Sequence, residues 1–277
     1  MSFFQFTLID VFTDTPLRGN PLAVVHAADA LSEATMQDFA RWMNLSETAF
    51  LMSPTDAAAD YRVRIYTPGC ELPFAGHPTL GACHAWLQAG GCARSANVVQ
   101  QCGIGLVRIR RDGERLAFAA PALRSAPVDG ELLASVCAAL GLTAGQVRQS
   151  CWLDNGPRWL ALLLDDAQTV LSLAPDHVAL KSLAPIGVIG PHPAGAACQF
   201  EVRGFAASLG IDEDPVTGSL NASLAQWLMA QGLAPPRYVA SQGARLGRGG
   251  RVHLMQRDGH LWVGGDCVSC VRGEMQL

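Results

Sequence analysis

The sequence predicts an α/β protein of two similar halves, each a sheet wrapped around a central apolar helix. Three observations carry that reading: a strand–turn–helix segment occurs twice, the helix closing each copy is apolar on almost every face, and short strand-like runs recur around both helices. The first copy runs from Tyr61-Arg62-Val63-Arg64-Ile65-Tyr66 through Glu71-Leu72-Pro73-Phe74-Ala75-Gly76-His77 to Trp86-Leu87. The second runs from Phe200-Glu201-Val202-Arg203-Gly204-Phe205 through Glu213-Asp214-Pro215-Val216-Thr217-Gly218-Ser219 to Trp227-Leu228. Leu80, Ala82, Cys83, Ala85 and Trp86 leave no polar face on the first helix, nor do Leu220, Ala222, Leu224, Ala225 and Trp227 on the second, which marks both as buried. A duplicated strand–turn–helix can set two helix N-termini face to face. Their unpaired N–H groups and partial positive charge suit an anionic small molecule.

Residues 7–12 alternate as a strand, with 21–26 beside them. Ser32 caps a helix reaching Met43, with Met36, Phe39, Ala40 and Met43 at helical spacing, and Asn44 breaks it. Residues 48–52 and 61–66 are further strands. Gly76 opens the first small-residue helix and Gly90-Gly91 ends it. Strands at 98–101, 105–110 and 116–119 close the first half. Residues 121–127, rich in Pro, Ala and Ser, are the expected boundary, giving halves at 1–120 and 128–277, with a last strand able to pack back on the first half. Asp129 caps a helix that stops before Gly141 and is expected to match the Ser32 helix. Strands follow at 158–164, 186–189 and 198–205, then the second small-residue helix at 219–230, then strands at 237–241, 251–256 and 260–271.

With 277 residues, 49% hydrophobic, the chain can bury a large core, and a net charge of −4 lacks the field that attracts nucleic acid or anionic membranes. The Gly-Arg-Gly-Gly-Arg run at 247–251 therefore reads as a turn beside a strand. Residues 1–12 are apolar but short, carry Asp10 and have no basic residue before Arg18, which does not fit a secretory leader. No stretch approaches a membrane span, and the expected location is the cytoplasm. Nine scattered cysteines read as reduced, core-filling thiols. The single C-x-x-C, Cys267 and Cys270, lies on a strand that points its two thiols to opposite faces.

No P-loop, dinucleotide-binding glycine run or nucleophile elbow is present. His77 and His84 share a helix face but stand two turns apart, roughly 10 Å by rise alone, too far for one metal. No metal or cofactor is expected, which leaves acid–base chemistry by side chains. His77 reads equally as a backbone-bonded helix residue or as a titratable group at a cleft mouth. Asp212 and Glu213 read as a solvated turn, and Asp214 as the acid best placed to reach a cleft. Glu47, in Asn44-Leu45-Ser46-Glu47-Thr48-Ala49-Phe50, reads as a surface residue or as a proton carrier with a raised pKa where the chain enters a buried strand.

These segments together resemble the phenazine-biosynthesis PhzF-like family. The matching runs are Asp10-Val11-Phe12-Thr13, Gly19-Asn20-Pro21-Leu22-Ala23-Val24, the Glu47 segment, Arg64-Ile65-Tyr66-Thr67-Pro68, residues 71–81 and residues 213–219. The resemblance implies the diaminopimelate-epimerase-like fold: two pseudo-symmetric halves, each a curved, mostly antiparallel sheet around a central helix, with the active site between them. It also implies a cofactor-independent isomerase, a homodimer, acting on a small carboxylate-bearing, cyclic or unsaturated substrate in the manner of a trans-2,3-dihydro-3-hydroxyanthranilate isomerase. Glu47 would be its general acid/base, and His77 and Asp214 would position the substrate and share its proton network. Gly76, Gly218 and Ser219, with Ser46, would bind the substrate. Related racemases and epimerases use two cysteines, one at each helix start, whereas this chain has Ala75-Gly76-His77 and Asp214-Pro215 there. A two-thiol racemase is therefore disfavoured. The alternatives are an epimerase without the thiol pair and a non-catalytic binder of small anions.

Overall fold

Strand pairing repeats in the same order in the two parts of the chain. The computed structural model describes residues 2–277 and divides into two compact units, Met1–Ala119 with Gly264–Leu277, and Ala120–Val263. The first unit contains β1 (Phe3–Val11), β2 (Asn20–Val25), α1 (Glu33–Met43), β3 (Thr48–Met52), β4 (Tyr61–Tyr66), β5 (Glu71–Leu72), α2 (Gly76–Gln88), β6 (Asn97–Cys102), β7 (Gly105–Asp112) and β8 (Arg115–Ala119). β1 and β2 are antiparallel, β2 and β3 parallel, β3 and β4 antiparallel, β4 and β6 parallel, β6 and β7 antiparallel. α2 packs against β1, β2, β3, β4, β6 and β8, and its residues from Gly76 through Cys83 are all buried. Gly81 lets helix and sheet approach closely: a Cβ there would stand 2.5 Å from Leu22 Cδ2. On the outer face, α1 lays Met36, Phe39 and Ala40 over Phe4, Val25, Phe50 and Tyr66. Ser32 caps α1 by accepting the N–H of Thr35, and Asn44 ends it in the left-handed region.

The second unit contains β9 (Arg124–Ala126), α3 (Gly130–Leu140), β10 (Val147–Asp154), β11 (Arg158–Leu164), α4 (Ala167–Ser172), α5 (His177–Leu180), β12 (Ile186–Pro191), β13 (Phe200–Ala206), β14 (Ile211–Asp214), α6 (Gly218–Ala230), β15 (Arg237–Gln242), β16 (Gly250–Arg257) and β17 (His260–Gly265), the last reaching just past the unit boundary. Its pairings follow the first unit's order: β10 and β11 antiparallel, β11 and β12 parallel, β12 and β13 antiparallel, β13 and β15 parallel, β15 and β16 antiparallel. β11 is buried from Trp159 to Leu164, which explains its unbroken apolar run: α3, α4 and α5 cover one side through Val136, Leu140, Val170 and Leu180. β18 (Cys267–Gln276) pairs antiparallel with β1 along its length and belongs to the first unit.

Residues 121–127 begin just past the division between the two units and include β9, which pairs with Trp152–Asp154. The fold corrects three of the expectations. The Asp129 helix, α3, precedes the second repeat, whereas the Ser32 helix lies between β2 and β3; the matching position between β11 and β12 holds α4 and α5. Caps mark where helices start, not where they stand in a repeat. The strand expected at 260–271 is two, separated at Asp266. There the Asp266 carbonyl accepts the N–H of Thr13 and its carboxylate takes Nε and Nη2 of Arg115 at 3.1 and 3.0 Å. Glu213, expected in a solvated turn, is buried: Arg203 donates Nε to its Oε1 at 2.9 Å and Nη2 to its Oε2 at 2.8 Å.

Candidate active site

The two central helices begin differently from the others. α1, α3, α4 and α5 each have a side-chain cap, supplied by Ser32, Asp129, Asp166 and Asp176. α2 starts after Ala75 and α6 after Thr217, neither with a side-chain cap. Gly76 and His77 at one start and Gly218 at the other are nonetheless buried. Buried first-turn N–H groups without a capping oxygen are a site for an anion.

A paired arginine and glutamate precede each of these helices. Arg64 on β4 binds Glu71 on β5 through Nε at 2.7 Å and Nη2 at 2.5 Å, and Arg203 and Glu213 repeat the fork on β13 and β14. Arg203 completes its donors on the carbonyls of Val170 and Leu173 at 3.2 and 2.8 Å. The Val-Arg of the duplicated strand is therefore the clamp that sets the turn into the helix.

In the first unit, Glu47 ends the loop after α1 and directly precedes β3, while His77 is the second residue of α2. His77 Nδ1 lies 3.4 Å from Glu47 Oε2, with the two side chains 5% and 17% exposed. Such a contact is an ion pair only if the imidazole is protonated. Burial opposes this and dominates, pushing the His77 pKa down to about 3. The ring is thus neutral, and toward an ionised Glu47, which only accepts, the proton is assigned to Nδ1. That leaves Nε2 as a lone pair, buried and without a hydrogen-bond partner among the described residues. Gly76 adjoins His77, and Ser46, partly buried, adjoins Glu47. His84, further along α2, meets Ser269 Oγ at 3.1 Å. Among the described residues no three acid, His or Cys side chains cluster as metal ligands.

In the second unit, Asp214 ends β14 and is 8% exposed. Thr217 Oγ1 donates to Asp214 Oδ2 at 2.6 Å. Ser219 accepts from Trp159 Nε1 at 3.3 Å, and its carbonyl accepts from Asn155 Nδ2 at 3.0 Å.

Residues 9–273 match the family described as phenazine biosynthesis-like protein (PhzC-PhzF). The chain belongs to this family. It is 35% identical to the Schizosaccharomyces pombe protein named antisense-enhancing sequence 1, over 98% of both chains. It is 34% identical to the trans-2,3-dihydro-3-hydroxyanthranilate isomerase of Pseudomonas fluorescens, over 99% of both. A crystal structure of a PhzF-family phenazine biosynthesis protein from Enterococcus faecalis superposes with a TM-score of 0.82 at 26% identity, covering 100% of both chains. The mixed α/β fold expected from the sequence is that of the family, and with an isomerase among relatives matched end to end the protein is an enzyme of that class. Among the described residues no helix is long and apolar enough to cross a membrane.

Sequence reasoning singled out Glu47, His77, Asp214 and both helix starts but missed the residues that hold them. Gln242, at the end of β15, is 1% exposed. Its Oε1 accepts from Thr217 N at 3.0 Å and Asn221 Nδ2 at 2.8 Å. Its Nε2 donates to the Asp214 carbonyl at 3.1 Å and to Thr217 Oγ1 at 2.9 Å. Gln100, on β6, is its counterpart: Tyr61 OH donates to its Oε1 at 2.9 Å and its Nε2 donates to Thr79 Oγ1 at 3.0 Å. Both glutamines stand at the same distance beyond the glycine that opens their helix, so extending the alignment of the two copies by one strand would have found them.

Proposed function

We propose that this protein is a cofactor-independent isomerase that moves a proton within a small, unsaturated, carboxylate-bearing substrate of the trans-2,3-dihydro-3-hydroxyanthranilate type, with Glu47 as general acid/base. The observation that supports it is the placing of the Glu47 carboxylate against a neutral, buried His77 at an uncapped helix start. Glu47 takes a proton from one carbon, and the C–H electrons pass into the adjacent π system. The resulting enolate-like species is stabilised by N–H donors at the start of α2. Glu47 then delivers the proton to a second carbon of the same molecule. One C–H bond breaks, another forms and a double bond shifts, so no oxidant or second substrate enters. His77 Nε2, an acceptor, receives a substrate N–H or O–H and orients the ring. Asp214 shares that positioning role, and Gly218 and Ser219 offer donors to the carboxylate, with Ser46 beside the base.

A thiol route has little support. Cys83 lies inside α2, and burial pushes its pKa up to about 12, while Cys70 is exposed in the loop before β5. The test is NMR in D₂O with trans-2,3-dihydro-3-hydroxyanthranilate and a panel of amino acids. Deuterium incorporated into the cyclic acid, and abolished in Glu47→Gln, supports the proposal. Exchange only at an amino acid Cα, or exchange unaffected by Glu47→Gln, overturns it.

A further inference from the structure

The two buried glutamines end their hydrogen-bond chains on different groups. In the first unit the chain runs from Gln100 Nε2 to Thr79 Oγ1, and Thr79 donates at 2.9 Å to the backbone carbonyl of Ala75. It reaches no acid and only ties the helix start to the strand. In the second unit the place of Thr79 is taken by Asn221, whose Nδ2 donates to the Thr217 carbonyl at 2.9 Å. That duty is therefore already met. Yet Gln242 also reaches Thr217 Oγ1, a group for which Ala75 offers no equivalent.

The direction of this second chain is fixed by chemistry. Thr217 N–H can only donate, so the Gln242 atom facing it is Oε1; the Asp214 carbonyl can only accept, so the atom facing it is Nε2. Nε2 then donates to Thr217 Oγ1, and the single hydroxyl proton points to Asp214 Oδ2 at 2.6 Å, in the range of a charge-assisted O–H···O⁻ bond. Thr217 is also the N-cap residue of α6 and of a favoured capping type, yet it caps nothing. A helix start forgoing about 1 kcal/mol of capping for a bond to an acid indicates that the acid's state matters.

We propose that Thr217 and Gln242 are positioning residues for the reaction: the one-way chain Gln242 Nε2 to Thr217 Oγ1 to Asp214 Oδ2 holds Asp214 as an oriented hydrogen-bond acceptor toward the substrate. This rests on the reading of Asp214 given above. The test is a set of kcat/KM values for trans-2,3-dihydro-3-hydroxyanthranilate. Thr217→Val, close in shape but lacking the hydroxyl, lowers kcat/KM by about 10- to 100-fold in the unsubstituted protein and by less than about 3-fold when Asp214 is already Asn. Thr217→Ser, which keeps the donor, restores most of the loss. Equal losses in both backgrounds, or no rescue by serine, would show a merely structural role and overturn the inference while leaving Asp214 in place. An Asp214→Asn variant whose kcat/KM matches that of the unsubstituted protein overturns the reading of Asp214 and the inference with it. Inactivity of the unsubstituted protein overturns both at their common root. Should Thr217→Val fail to fold by circular dichroism, Thr217→Cys serves, its weaker donor giving an intermediate loss that also depends on Asp214.

Discussion

The carboxylate of Glu47 lies 3.4 Å from Nδ1 of His77, an imidazole that burial keeps uncharged. A charged imidazolium would hold Glu47 in an ion pair and weaken it as a base. A neutral ring forms no such ion pair. That is the state the proposed proton abstraction by Glu47 requires.

Removing the base is the first consequence. Glu47→Gln keeps size and shape but cannot take a proton, so turnover falls by roughly 100- to 10,000-fold. Thermal unfolding and substrate binding by calorimetry stay close to those of the unsubstituted protein, since the side chain is partly exposed. Retained turnover would end the proposed role.

His77 links stability to pH with a definite sign. Its folded pKa, about 3, lies below the unfolded value of 6.5. Between these values the unfolded chain binds a proton that the folded chain does not. Stability is therefore unaffected by His77 above about pH 6.5 and falls by about 1.4 kcal/mol per pH unit below it, down to about pH 3. Urea unfolding of the protein and of His77→Gln between pH 7 and pH 4 checks this. The variant loses less stability on acidification, and the difference isolates His77 from His26 and His84, which burial also shifts down.

The two arginine–glutamate forks differ in burial, and so in consequence. Arg203 and Glu213 are 4% and 6% exposed, Arg64 and Glu71 25% and 36%. Arg203→Met strands a buried carboxylate and the buried Leu173 carbonyl, at a cost of about 3–5 kcal/mol. Arg64→Met leaves Glu71 in reach of water and costs about 1 kcal/mol or less. Equal losses in urea unfolding would contradict the burial argument.

The uncapped helix starts predict how substrates are discriminated. Replacing the carboxylate of the substrate with a carboxamide removes the charge that these N–H groups favour and weakens binding by about 10- to 100-fold, or about 1.4–2.8 kcal/mol. Competition binding of the acid and amide measures it, and equal affinities would exclude an anion site at either helix start.

The amino-acid sequence by itself determined the two central helices, their glycine-led starts and the strands of both copies, and it singled out Glu47, His77 and Asp214 as candidate site residues. These were legible because they rest on local signals: an apolar pattern with no polar face, a cap, and a motif of fixed spacing. The short helices α4 and α5 were not, because helices of six and four residues are too brief to show a period. Their caps, Asp166 and Asp176, were the signal available. Only the tertiary structure decided which polar residues face one another. It buried Glu213 against Arg203, made His77 neutral, broke the last strand at Asp266, and brought Gln242, distant in sequence, onto Thr217 and Asp214. Burial and hydrogen-bond partnership depend on what packs from elsewhere in the chain, and a residue's own neighbours in sequence do not contain that information.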